Sequence, residues 1–144
     1  MSIGLTRRGG KEGIIAMKCE IGDIVLVNNF TYPDGTKGTL HKFVVIDINQ
    51  DEFELVNLDY LCLIISSNVN KTNTTNRNFL YNEPIPPTTE SGLRHDGHVK
   101  CDYLYSIKED DIFMKVGTVT LTQYNRFLEL HDLSIESAHK NNKT

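Results

Sequence analysis

The chain has 144 residues, 39% of them hydrophobic, and its 15 Lys and Arg against 19 Asp and Glu give a formal net charge of −4. That length suits one domain around one core. The acidic balance excludes nucleic-acid binding through bulk charge, so any such role needs a local basic patch.

Cys19, Cys62 and Cys101 are widely spaced and show no C-x-x-C pattern, so neither a zinc site nor a redox motif is expected and no metal or cofactor is assigned. Free thiols suit a reducing cytoplasm. No apolar run approaches a membrane span and no signal peptide is visible, so a cytoplasmic protein without a membrane partner is expected.

Residues 1–16, with Arg7, Arg8 and Lys11, read as a flexible leader, residues 17–137 as one domain and residues 138–144 as a frayed tail. Gly22-Asp23 opens a β-branched run, and Asp23–Asn28 reads as the first strand, with Asp23 a structural carboxylate. A glycine-rich loop, Asp34 to Gly38, leads to His41-Lys42 and a second strand over Lys42–Asn49. Phe53–Leu58 alternates as a half-buried hairpin strand does, and Tyr60–Ser66 is apolar enough for a buried central strand. Ser67–Asn78 has loop chemistry. Pro84, Pro86 and Pro87 exclude a regular helix and disfavour a central strand around them. His98–Tyr103 alternates as a strand, Ser106-Ile107-Lys108-Glu109 matches a capping box, and Thr120-Leu121-Thr122-Gln123 is a second box opening the clearest helix. In that helix Leu121, Tyr124, Phe127, Leu128 and Ile135 recur at helical spacing. Several strands followed by one helix predict a mainly β (α+β) domain: a small, strongly bent antiparallel β-barrel whose C-terminal helix covers one face.

His41 and Lys42 enter a strand from a loop, a common way of holding polar groups at a rigid rim. An imidazole titrates near neutrality and suits proton transfer. Residues 35–46 and 66–80 hold basic but no acidic side chains, which makes Lys37, Lys42, Lys71 and Arg77, with Arg94, candidate phosphate contacts. Tyr32, Phe30 and Phe79 could stack on bases or simply anchor the core. Along one strand face His98, Lys100 and Asp102 align, either as a second acid/base group with charged partners or as a solvated face. Ser66 and Ser67 could donate to phosphate oxygens or terminate the strand.

The order of these parts resembles the PemK/MazF family, messenger-RNA-cleaving toxins of bacterial toxin–antitoxin modules. The resemblance is carried by Gly22-Asp23-Ile24-Val25, by the Asp34–Gly38 loop and by His41-Lys42 before Phe43-Val44-Val45-Ile46. It continues through Leu63-Ile64-Ile65-Ser66-Ser67, Val99 to Ile107, and Lys115 to Val119. Most members carry Arg-Pro where this sequence has His41-Lys42. The resemblance implies a homodimeric endoribonuclease toxin that cuts single-stranded mRNA without a metal and is silenced by a cognate antitoxin. It puts His41 at the position of the family's cleaving arginine and retains the family's hydroxyl residues as Ser66 and Ser67. Together with the residue readings above, the candidate catalytic set is His41, Ser66, Ser67 and His98, and the candidate RNA contacts are Lys37, Lys42, Lys71, Arg77 and Lys100. The alternative is a non-catalytic module that binds nucleic acid or protein, with His41 marking lost chemistry.

Overall fold

A computed structural model describes residues 18–49, 59–67 and 80–142. The leader, the strand expected over Phe53–Leu58, Lys71, Arg77 and Phe79 lie outside these residues.

Seven antiparallel strands and one long helix make up the described fold: β1 (Asp23–Thr31), β2 (Lys37–Asn49), β3 (Asp59–Ser66), β4 (Asn82–Ile85), β5 (Gly97–Lys100), β6 (Tyr105–Lys108), β7 (Ile112–Thr118) and α1 (Leu121–Asn142). The sheet runs β4-β5-β3-β2-β1-β7, and β6 pairs with the other end of β3 beside β5. No ladder closes this path into a barrel among the described residues. The antiparallel sheet and its C-terminal helix match the sequence reading; the closure that a barrel implies does not form.

β1 and β2 are joined by a tight hairpin rather than a long loop. Gly35, at φ 91°, donates to the Tyr32 carbonyl at 2.9 Å, and Tyr32 donates to the Thr36 carbonyl at 2.8 Å. The Asp34 carboxylate accepts from the Thr36 amide and hydroxyl at 3.0 and 2.7 Å, which lowers its pKa. Pairing therefore continues outward to Thr31 opposite Lys37, and β2 starts five residues before the apolar pattern suggests.

Alternation sorts the central strands onto two faces. Val25, Val27, Phe43, Val45, Cys62 and Ile64 point to one core, completed by Tyr105, Ile107 and Ile112. Ile24, Val44, Leu63, Ile65 and Val99 point to the other, where Phe127 and Leu130 of α1 cover them. With both faces buried, Ile24–Val27 and Phe43–Ile46 read as continuous apolar runs.

Local signals fail where these faces decide. The Ser106 capping box initiates no helix: Tyr105 and Ile107 are buried two apart, and β6 pairs with β3 from Asp59–Lys108 to Cys62–Tyr105. Only a single 3-10 turn, Glu109–Asp111, follows, with no side-chain cap. β7 then pairs with β1. The strand expected over His98–Tyr103 stops at Lys100 and turns at Cys101-Asp102. Pro84 sits in β4 at the sheet edge, the position in a sheet that tolerates a proline.

Thr120 caps α1 as expected: its hydroxyl accepts the Gln123 amide at 3.1 Å, and Gln123 Oε1 accepts the Thr120 amide at 2.8 Å. The buried stripe is Phe127 and Leu130 flanked by Tyr124 and Leu128, whereas Leu121 and Ile135 are exposed. The helix continues to Asn142, past the point where its polar tail predicts fraying.

Candidate functional site

The register carries three of the candidate residues to one row. Lys42 lies opposite Ile65 and Phe43 opposite Ile64, so the next step along both strands sets His41 beside Ser66. Ser66 in turn lies opposite His98 on β5. The ladder parity puts His41, Ser66 and His98 on the face shared by Phe43 and Ile64.

His41 and Ser66 form a wall between two cavities. The larger, about 560 Å3, is lined by Tyr32, Asp34, Ile64, Lys100, Asp102 and Tyr105 among others. The smaller, about 310 Å3, adds Lys42, Ser67, Arg94, His95 and Asp96 from the strand ends and the loop before β5. A third depression reaches Lys37 and Lys108 and shares Tyr32, Tyr103 and Tyr105 with the larger cavity. Shared walls make these one groove across the β1–β2 hairpin, the ends of β2 and β3, and the turn after β5.

The His41 ring is oriented by two kinds of contact. Its Nδ1 donates to the Thr39 carbonyl at 3.0 Å. A carbonyl only accepts, so that bond puts the proton of the neutral ring on Nδ1 and leaves a lone pair on Nε2. Edge-on contacts with Phe30 and Tyr32, at 5.4 and 6.3 Å between centroids, hold the ring plane. Leu40, immediately before it, has φ 51° and is exposed, a left-handed non-glycine residue inside a strand. Such strain persists where surrounding structure enforces it and clusters at functional sites.

Tyrosines dominate the larger cavity. Tyr105 packs edge-on against Tyr103 at 4.8 Å and Phe43 at 5.2 Å. Burial, with the neighbouring Tyr32 and Tyr103 hydroxyls, pushes the Tyr105 hydroxyl up to about 12, which keeps it a proton donor at neutral pH.

Lys37 is at the outer end of the groove, its Nζ donating to Thr31 Oγ1 at 3.0 Å. Lys42 and Ser67 line the smaller cavity and Lys100 the larger. His98 is only 2% exposed, its Nδ1 3.5 Å from the Ser66 carbonyl, and lines neither cavity. Phe30 is core. Asp23 is structural: it is buried, accepts the Glu20 amide at 2.8 Å and pairs with Lys115 at 3.2 Å.

Sequence reasoning missed His95, Tyr103 and Tyr105 as groove residues, while Asp102, aligned with Lys100 in the sequence, does line the larger cavity beside it. His95 stands in a loop with no periodicity to mark it, and the β3–β5 pairing brings that loop to the cavity that His41 also lines. Among the described residues no helix is long and apolar enough to cross a membrane.

No family model matches the sequence, and no curated protein matches it. Among solved structures the fold is similar to that of the Mycobacterium tuberculosis toxin MazF-mt6, with a TM-score of 0.52 and 16% identity over 79% of this chain and 96% of that one. The fold is thus MazF/PemK-like, as the order of sequence parts implies.

Proposed function

We propose that this MazF/PemK-like fold carries a metal-independent endoribonuclease that cuts single-stranded mRNA as the toxin of a toxin–antitoxin module. The observation that supports this reading is the oriented His41 ring, with its Nε2 lone pair, in the wall of an aromatic groove edged by Lys42, Lys100 and Arg94.

On this reading His41 Nε2 takes the proton of a ribose 2′-hydroxyl, and the resulting oxyanion attacks the adjacent phosphorus. Ser66, Ser67, Lys42 and Arg94 stabilise the charge that gathers on the phosphoryl oxygens. His95, in the same cavity as His41, protonates the departing 5′-oxygen. The products are a 2′,3′-cyclic phosphate and a 5′-hydroxyl. His98, buried against the Ser66 backbone, holds the end of β3 in place and does not touch substrate. Lys37 and Lys100 contact RNA further along the groove, and the antitoxin silences the enzyme by filling it; the active form is a cytoplasmic homodimer.

The test is cleavage of mixed-sequence single-stranded RNA by purified protein in EDTA, with the new ends mapped by primer extension. Cutting that disappears in His41→Ala and falls in His95→Ala, with folded variants in both cases, is the expected result. Full activity of His41→Ala overturns the assignment of the base. A second reading is favoured by the histidine standing where relatives carry arginine: a non-catalytic module that holds RNA or protein. It predicts salt-sensitive RNA binding with no cutting of any sequence.

A further inference from the structure

We propose that Lys100 and Asp102 form a guanine-reading subsite in the larger cavity; this rests on the RNA-cleaving reading and adds to it the base that the groove selects. Lys100 ends β5 and Asp102 follows two residues later in the turn, and both line the cavity that holds His41 and Ser66. Among the described residues neither side chain is engaged in a hydrogen bond or ion pair, whereas Asp34, in the same cavity, is occupied by Thr36. Tyr32, Tyr103 and Tyr105 supply aromatic surface for a base displayed by a single strand.

The pair of charges discriminates among bases. A carboxylate accepts and an ammonium donates. The guanine edge offers the O6 acceptor next to two adjacent donors, N1–H and the N2 amino group. The Lys100 ammonium meets O6, and the two Asp102 oxygens meet N1–H and N2–H. Uracil gives the carboxylate one N–H flanked by two carbonyl oxygens, which it repels. Cytosine and adenine can give the carboxylate a single amino donor beside a ring nitrogen for the ammonium, one hydrogen bond fewer than guanine. Guanine alone offers the carboxylate two adjacent N–H donors beside an acceptor for the ammonium, so it fills this pair of groups most completely.

Binding of fluorescent 2′-fluoro hexamers, which lack the attacking hydroxyl, tests this without cleavage. A uridine hexamer with one central guanosine should bind about tenfold tighter than all-uridine. Inosine in that place keeps O6 and N1–H but loses the N2 donor, and should fall between. Asp102→Asn should erase the difference between the guanosine-containing and all-uridine hexamers, read as the ratio of their two affinities in the variant. Equal affinities, a preference that survives both Asp102→Asn and Lys100→Met, or no binding of any hexamer overturns the proposal. The two readings separate cleanly. Cutting of mixed RNA without guanine preference removes the subsite and keeps the nuclease. Guanine preference without cutting does the reverse.

Discussion

At the scale of single residues, close backbone approach sets the tolerances of the site. A Cβ on Gly38 would stand 2.2 Å from the Phe30 ring, and that ring packs against His41, Phe43 and Tyr105. Gly38→Ala should therefore displace the aromatic floor, cost about 1–3 kcal/mol and, on the proposed function, lower cleavage as well. Urea unfolding with a parallel activity assay checks both, and a neutral result would mean that the ring has room to move. Gly35, by contrast, faces open space and is needed for its positive φ alone. His41 was legible as chemistry because an imidazole at a strand entry is conspicuous. Tyr103 and Tyr105 were not, because two tyrosines near Ser106 say nothing of what they face until β6 folds back on β3.

At the scale of elements, β2 and α1 carry separate predictions. Leu40 holds a left-handed conformation that costs an L-residue about 1–2 kcal/mol. Glycine would remove that cost and add roughly 0.5–1 kcal/mol of backbone entropy. Leu40→Gly should therefore leave the fold unchanged or more stable, by up to about 1.5 kcal/mol, yet on the proposed function lower activity by loosening the strand that aims His41. A variant that is clearly less stable would show that the exposed leucine contributes contacts of its own. For the helix, Thr120→Ala removes the hydroxyl that accepts the Gln123 amide, one half of the reciprocal cap, and should cost about 1 kcal/mol. Tyr124→Phe should cost a similar amount, since the hydroxyl donates to the Ile46 carbonyl at 2.8 Å and ties α1 to β2. Chemical denaturation of the two single variants and the double tests whether these losses add, as they should for contacts that share no partner.

At the scale of the whole molecule, burial of weak acids in the two cores sets the alkaline limit. Desolvation raises Cys19 from 9.0 to about 12 and Tyr105 from 10.0 to about 12, and it raises Tyr60, Cys62 and Cys101 as well. These groups ionise in the unfolded chain before they do so in the folded one. The native state then holds more protons, so stability is full below about pH 9 and declines from there toward pH 12. Urea midpoints measured at pH 7.5 and 10.5 should differ, with the lower value at the higher pH. Identical midpoints would contradict the burial of these thiols and hydroxyls. On the proposed function, RNA is held by the groove's basic rim against a net charge of −4, and its affinity should fall steeply with added salt.

By itself the sequence determined the strand-rich class, the central strands, the Thr120 cap and the MazF/PemK-like order of parts. The first three are written in local periodicity or in short-range hydrogen-bonding chemistry, and the last is a resemblance to a known family. Tertiary structure alone decided that Ser106 belongs to a strand, that His98 is buried while His95 reaches the groove, and that Asp102 and the tyrosines join His41. Those outcomes depend on which strands pair and which face each side chain then takes. A signal confined to neighbouring residues cannot carry that information, because partners separated by dozens of residues are brought together only by the register of the sheet.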